Sequence, residues 1–186
     1  IFVRDDDLKI SRQPIDFLGV NYYSTTTVRH RDKAVDDPHA PMPGLKHVEA
    51  LPPEGELTAM GWNQDPQGLT DLLMYLKQRF PTLDVMVTEN GSAWGDQPAD
   101  GNVIHDPRRV RYLREHVSAL AQALVEGANV RGYYAWSLID NFEWNSGYTK
   151  RFGLIGIDYD TQERTWKDSA SLYERIVHAN AIPEGD

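Results

Sequence analysis

Apolar residues recur along this chain with two different periods. Short runs rich in β-branched and aromatic residues alternate with longer stretches whose apolar positions step by three and four, the pattern of strand followed by helix. The first run is Ile15-Asp16-Phe17-Leu18-Gly19-Val20-Asn21-Tyr22-Tyr23. A helix is then predicted from Asp65, a suitable N-cap, with Pro66 at its first position and Leu69, Leu72, Leu73 and Leu76 on one face. The second strand is predicted over 83–88. Its helix begins at Asp106-Pro107, carries Val110, Leu113, Val117, Leu120 and Leu124 as an apolar stripe, and stops at Gly127. The third strand is predicted over 130–136, and Asp168 is expected to cap a last helix that ends near Asn180, before Pro183. Residues 152–159, with a turn at Asp160-Thr161, predict a small extra hairpin.

The connections differ in kind. Residues 24–64 pass Pro38, Pro41, Pro43, Pro52 and Pro53, which marks an elaborated loop with room for a short hairpin, and loops of that length tend to carry function. The loop after the second strand holds Gly91, Gly95, Pro98 and Gly101, and 137–151 is dense in polar and aromatic groups. Alternating strands and helices imply an α/β fold with a parallel sheet. Functional groups placed just after strands fit both a (β/α)8 barrel and an open doubly wound sheet. No Gly-x-Gly-x-x-Gly or Walker loop follows a strand, which disfavours nucleotide binding. A closed barrel takes about 250 residues, so three units cannot complete one.

Composition narrows the partners. The chain has 186 residues, 40% of them hydrophobic, and a formal charge of −9, which argues against nucleic acid and anionic membranes. No apolar run approaches the ~20 residues of a membrane helix. Cysteine is absent, which removes disulfides, thiolate metal sites and cysteine nucleophiles. A cytoplasmic location is expected on that ground, with a disulfide-free secreted enzyme as the alternative, and a start at Ile1 rather than Met gives the lack of a signal peptide little weight. Five Trp and nine Tyr, many of them between 133 and 173, would suit the C–H faces of sugars. Such rings also fill cores, and composition alone favours that plainer use.

Candidate chemistry gathers at the strand ends. Glu89, in Val85-Met86-Val87-Thr88-Glu89-Asn90-Gly91, sits where a buried strand turns through Asn-Gly. Alone it could be a solvated loop glutamate. Asn21 and Tyr23 stand at the first strand end, however, and Trp136, Glu143 and Trp144 at or beyond the third. Amide, phenol, carboxylate and indole on one rim suit a polyhydroxylated ligand. Asp140-Asn141-x-Glu143 could offer oxygen ligands to a cation, but the six histidines show no paired spacing, and neither a metal nor a cofactor is expected. Arg108, Arg109, Arg111 and Arg114 are most simply a solvated helix face.

Four blocks in order resemble family 1 glycoside hydrolases, β-glucosidases and relatives built on a (β/α)8 barrel. They are Phe17-Leu18-Gly19-Val20-Asn21-Tyr22-Tyr23-Ser24, Thr88-Glu89-Asn90-Gly91, Ala135-Trp136-Ser137-Leu138-Ile139-Asp140-Asn141-Phe142-Glu143-Trp144, and Gly147-Tyr148-Thr149-Lys150-Arg151-Phe152-Gly153. The resemblance implies that Glu89 is the nucleophile of a retaining β-glycosidase and that Tyr23 orients it. It also implies that Asn21 lies in the same pocket and Trp136 lies beneath the sugar ring. Glu143 and Trp144 would bind hydroxyls on the far edge, Phe152 would line that wall, and Trp62 would form the platform for the leaving group. Glu143 would repel a phosphate, so an unphosphorylated β-D-glucoside, β-galactoside or β-fucoside is expected.

The resemblance also implies a gap. The family's acid/base glutamate lies in an Asn-Glu-Pro motif, and no such triplet occurs among these residues. Residues 1–186 are therefore expected to be the C-terminal segment of one glycosidase domain, a partial TIM barrel holding the last three strand–helix units. By itself the chain would expose two strand edges and would be inactive, a sugar-binding or structural half-barrel. The N-terminal part of the same barrel is its expected partner.

Overall fold

The structure is a computed structural model that describes residues 2–4, 6–37, 44–96 and 103–184. Pro38, Pro41, Pro43, Pro98 and Gly101 lie outside the described residues. In chain order the elements are α1 (Asp7–Ser11), β1 (Phe17–Asn21), β2 (Val28–His30), β3 (Val48–Ala50), α2 (Pro66–Arg79), β4 (Asp84–Asn90) and β5 (Val103–Ile104). They continue as α3 (Pro107–Val125), β6 (Val130–Ala135), a 3-10 turn (Trp144–Ser146), β7 (Ile155–Ile157), β8 (Arg164–Lys167) and α4 (Asp168–Ala179).

The three predicted units are present, and their strands form one parallel sheet in the order β1-β4-β6. Val20, Val85 and Val87 face the helices and close a core with Leu69, Leu73 and Leu76 of α2 and Leu120 and Ala123 of α3. Full burial of side chains such as Leu69 and Leu73 contributes about 1.5–3 kcal/mol each. A second cluster, Leu113, Val117 and Leu172, fastens α4 to α3. The opposite sheet face leaves Phe17 and Tyr134 about half exposed, as expected of the side that a closed barrel turns inward. No helix among the described residues is long and apolar enough to cross a membrane.

Capping follows the sequence at one helix and departs from it at another. Asp65 accepts a hydrogen bond from the Gly68 amide at 3.0 Å, as an N-cap should. Asp168, expected to cap α4, is instead its first residue, and the cap position Lys167 makes no side-chain capping bond. The amide of Ser169 is satisfied by Asp106, 63 residues earlier, at 2.9 Å. Gly127 ends α3 at a φ of 88°, and Asn180 ends α4 in the left-handed region.

The loop over 24–64 contains the antiparallel β2–β3 pair. The extra hairpin is β7–β8, and the short β5 joins it in parallel to β8, an addition that the sequence pattern did not signal. The expected solvated arginine face needs correction. Arg109 is 2% exposed, because it lies on the same side of α3 as Leu113 and Val117 and finds carboxylates there.

His116, on the same helix, is fully buried against Tyr112, with ring centroids 3.8 Å apart. Its Nδ1 donates to the Tyr112 carbonyl at 2.8 Å, and burial pushes its pKa down to about 4. A folded-state value below the unfolded one stabilises the fold above pH ~6.5, and that contribution is lost as pH falls toward 4. Relative to a His116→Gln variant, unfolding free energy is expected to drop by about 3 kcal/mol across that window. Urea unfolding at pH 7.5 and pH 4.5 measures it, and equal drops in both proteins would contradict it.

Candidate active site

The register of the sheet aligns three strand ends. Asn21 pairs with Glu89 after a shift between Val20 and Asn21, and Asn90 pairs with Ala135. Strand β4 therefore extends two residues past its predicted end, so Glu89 stands on the sheet rather than in a loop. Two hydrogen bonds continue the ladder, Tyr22 N to Glu89 O at 2.9 Å and Trp136 N to Asn90 O at 2.8 Å. Close approach at this point requires glycine next. A Cβ on Gly91 would lie 1.8 Å from the Trp136 carbonyl oxygen.

Asn90, read from the sequence only as a turn residue, is completely buried beneath Glu89. Its amide nitrogen donates to Tyr22 O at 2.8 Å and to Tyr112 Oη at 3.1 Å, and its oxygen accepts from Tyr133 Oη at 2.7 Å. Tyr112 Oη in turn donates to Tyr23 O at 3.0 Å. Burial raises the pKa of both Tyr112 and Tyr133, so these phenols remain proton donors. A fully satisfied network of this kind fixes one arrangement of the strand ends.

Above that base, Tyr23 Oη donates to Glu89 Oε2 at 2.5 Å. Burial, and then this bond, hold the Tyr23 pKa far above the usual phenol value. The proton thus stays on the phenol and one carboxylate oxygen is fixed. Tyr23, Trp62, Glu89, Trp136, Glu143 and Trp144 line a cleft of about 520 Å³, together with Met60, Phe142, Asn145 and Ser146. Trp136 Nε1 points to Glu143 Oε2 at 3.4 Å, and Glu143 is 9% exposed against 80% for Trp144.

Two predicted residues stand apart from the cleft wall. Phe152 is buried behind it, its ring 6.0 Å from Tyr23 and 6.2 Å from Trp62, so it supports the wall rather than forming it. Asn21 is exposed, and its Oδ1 accepts from Thr88 Oγ1 at 2.8 Å beside the nucleophile candidate. The Trp62 turn is tied down at Ala59, whose N donates to Ala93 O at 2.9 Å and whose O accepts from Lys150 Nζ at 2.5 Å. Met60 is two residues before Trp62 and Phe142 adjoins Glu143, whereas Asn145 and Ser146 carry no signal beyond their place in a polar loop.

Asp140, considered as a cation ligand, is engaged otherwise. Its Oδ1 accepts from Gly153 N at 2.8 Å and from Lys167 Nζ at 3.1 Å.

A chain of similar sequence and fold is found within known proteins. A bifunctional β-D-glucosidase/β-D-fucosidase of Bifidobacterium breve is 46% identical over 187 residues, covering 95% of this chain and 40% of that protein. β-Glucosidase A of Acetivibrio thermocellus is 38% identical, covering 96% of this chain and 38% of its own length. The solved β-glucosidase of Thermotoga maritima in complex with deoxynojirimycin superposes with a TM-score of 0.85 at 38% identity, over 96% of this chain and 38% of that one. The chain thus spans about two-fifths of the length of these relatives, and its α/β architecture is part of a TIM barrel. The family model for glycosyl hydrolase family 1 matches residues 1–182, and the chain belongs to that family.

Proposed function

We propose that this chain is the nucleophile-bearing segment of a retaining β-glycosidase that hydrolyses unphosphorylated β-D-glucosides. The observation that carries it is the 2.5 Å bond from Tyr23 to Glu89 at the floor of an aromatic cleft. A carboxylate with one oxygen held by a phenol has its other oxygen free and fixed in direction, as attack on an anomeric carbon requires.

The steps follow. Glu89 adds to the anomeric carbon as the bond to the leaving oxygen breaks, which gives a glycosyl-enzyme ester. A carboxylic acid from a barrel segment other than these residues gives its proton to that oxygen. It then takes a proton from the water that attacks the same carbon and releases Glu89. Trp136 lies under the ring, Glu143 and Trp144 receive hydroxyls on the edge remote from the reacting carbon, and Trp62 stacks on the leaving group. Asn21 sits beside the ring and Phe152 backs the wall. Two good acceptor oxygens on Glu143 favour hydroxyls there and repel a phosphate. The activities named for the B. breve relative support a pocket open to β-D-fucosides as well; β-galactosides belong to the same class.

By itself the chain supports a second reading, a sugar-binding half-barrel without turnover. The absence of an Asn-Glu-Pro triplet among its residues favours it. The N-terminal part of the barrel is the partner that converts one into the other.

The test compares this chain alone with an assembled barrel, the chain joined to the preceding segment of the B. breve relative. Each is exposed to a 2-deoxy-2-fluoro β-glucoside with a good leaving group. The assembled barrel is expected to turn over β-glucosides, to inactivate with time, and to gain one sugar per protein. The chain alone is expected to give no turnover. An assembled barrel that hydrolyses β-glucosides without ever accumulating the adduct would contradict covalent catalysis.

A further inference from the structure

Beneath the cleft lies a buried ionic cluster that the steps above do not use. Arg109 and Lys167 are 2% and 0% exposed, and with Arg151 they face Asp96, Asp106 and Asp140. These residues come from α3 and its cap, from the end of β8 and from two loops, of which the one after β6 lines the cleft. The loop after β4 supplies Asp96 and the loop after β6 supplies Asp140 and Arg151.

Both buried cations bridge those loops. Arg109 Nε donates to Ser92 O at 3.2 Å, while its Nη2 reaches Arg151 O at 2.7 Å and both Asp96 oxygens at 3.0 and 3.1 Å. Its Nη1 donates to Asp106 at 2.5 Å. Lys167 Nζ holds Asp96 Oδ2 at 2.5 Å and the Asp140 oxygens at 3.1 and 3.3 Å. Ser92 is three residues beyond Glu89, Asp140 three before Glu143, and Arg151 adjoins Phe152.

The sheet alone cannot set where Glu143 lies. Its last β4–β6 pair is Asn90 with Ala135, eight residues earlier, and among the described residues the Glu143 backbone bonds within its own turn, to Gly147 and Ser146. Backbone bonds tie the start of the loop, residues 137–140, to 152–155 at the start of β7, and side chains anchor it further at Asp140, which also accepts from Gly153 N, and at Arg151. Dehydrating this many charges is costly, and well-packed apolar groups would stabilise the loops as well. What directional ion pairs add is a defined separation between the parts they join.

We propose that Lys167 and Arg109 are positioning residues which, through Asp96 and Asp140, set the span between Glu89 and Glu143. They thereby determine how strongly the site recognises the sugar hydroxyls remote from the reacting carbon. The proposal rests on the glycosidase function argued above.

The test uses the assembled barrel with Lys167→Met or Asp96→Asn, the latter keeping side-chain shape and weakening both cations' pairs. Rates are measured per active site titrated with the fluorosugar, on dinitrophenyl β-D-glucoside and its 4-deoxy analogue. For the glucoside, kcat/KM is expected to fall about tenfold, mainly through KM. For the 4-deoxy analogue the fall is expected to be about twofold or less, because a displaced Glu143 has no hydroxyl there to lose. A merely structural role would lower the melting temperature and the number of titratable sites and leave the ratio between the two substrates unchanged; that result would overturn the proposal. If Lys167→Met does not assemble, Asp96→Asn decides by the same ratio. An unsubstituted barrel that fails to hydrolyse β-glucosides would overturn the functional reading and this proposal with it. Normal turnover with an unchanged ratio in the variants would overturn this proposal alone.

Discussion

Replacing Glu89 with alanine in the assembled barrel is expected to cut turnover of an aryl β-glucoside on the order of 10⁴-fold or more. The loss should fall on kcat, because Glu89 bonds to the substrate only once the anomeric carbon begins to react. The truncated side chain also leaves a space on the face of the sugar opposite the leaving group. Azide is small enough to enter it and to attack the anomeric carbon there. Added azide is therefore expected to restore part of the rate and to give the α-glycosyl azide, inverted at that carbon. A β-glycosyl azide, or no rescue with an activated leaving group, would mean that Glu89 is not the group that bonds to the sugar.

The second large effect is expected from Gly91→Ala. Here the limit is space, since the added carbon would meet the Trp136 carbonyl oxygen at 1.8 Å and its carbonyl carbon at 2.9 Å. Neither atom belongs to a flexible side chain. The end of β4 would have to move away from the end of β6, and the 2.8 Å bond from Trp136 N to Asn90 O would be strained or broken. Overpacking of this kind is expected to cost on the order of 3 kcal/mol. It would also separate Glu89 from Trp136, so activity should fall further than stability does. Gly95 provides the contrast, because a Cβ there meets nothing within 4 Å. Denaturant unfolding should show Gly95→Ala within about 0.5 kcal/mol of the parent. Equal midpoints for Gly91→Ala and the parent would show that the strand ends do not approach this closely.

These predictions start from features that were readable in the residues to different degrees. The strand–helix order could be read because Leu69, Leu73 and Leu76, and likewise Leu113, Val117 and Leu120, repeat at helical steps and are buried on one face. Tyr23, Glu89 and Trp136 could be grouped because all three stand at the ends of predicted parallel strands, whose ends lie on one side of a sheet. Six of the eight residues singled out line the cleft. Phe152 packs its ring against Tyr23 and Trp62 and is buried behind the cleft lining, a placement set by contacts with distant residues that no local pattern encodes.

The ionic brace was the least readable part. Lys167 sits between Trp166 and Asp168 in a charged stretch, and its partners lie 71 and 27 residues away. No local pattern encodes such pairs. Asp106 is similar, because it caps a helix that begins far from its own. Arg109 did leave a signal. It precedes Leu113 and Val117 by four and eight residues, so it shares their apolar side, whereas Arg108 and Arg111 do not. A charged residue in phase with a buried stripe is a better candidate for an internal ion pair than for a solvated face. Asn90 was overlooked because Asn-Gly is a strong turn signal, and the three partners of its buried amide come from other elements.

The central claim, that Glu89 forms the covalent bond to the sugar, is tested most directly by locating the trapped adduct. The assembled barrel is inactivated with the 2-deoxy-2-fluoro β-glucoside, digested, and its peptides are sequenced by mass spectrometry. The fluorosugar is expected on the peptide containing Thr88-Glu89-Asn90, with fragment ions that assign it to Glu89. A fluorosugar found on Glu143, or on any residue other than Glu89, would contradict the account.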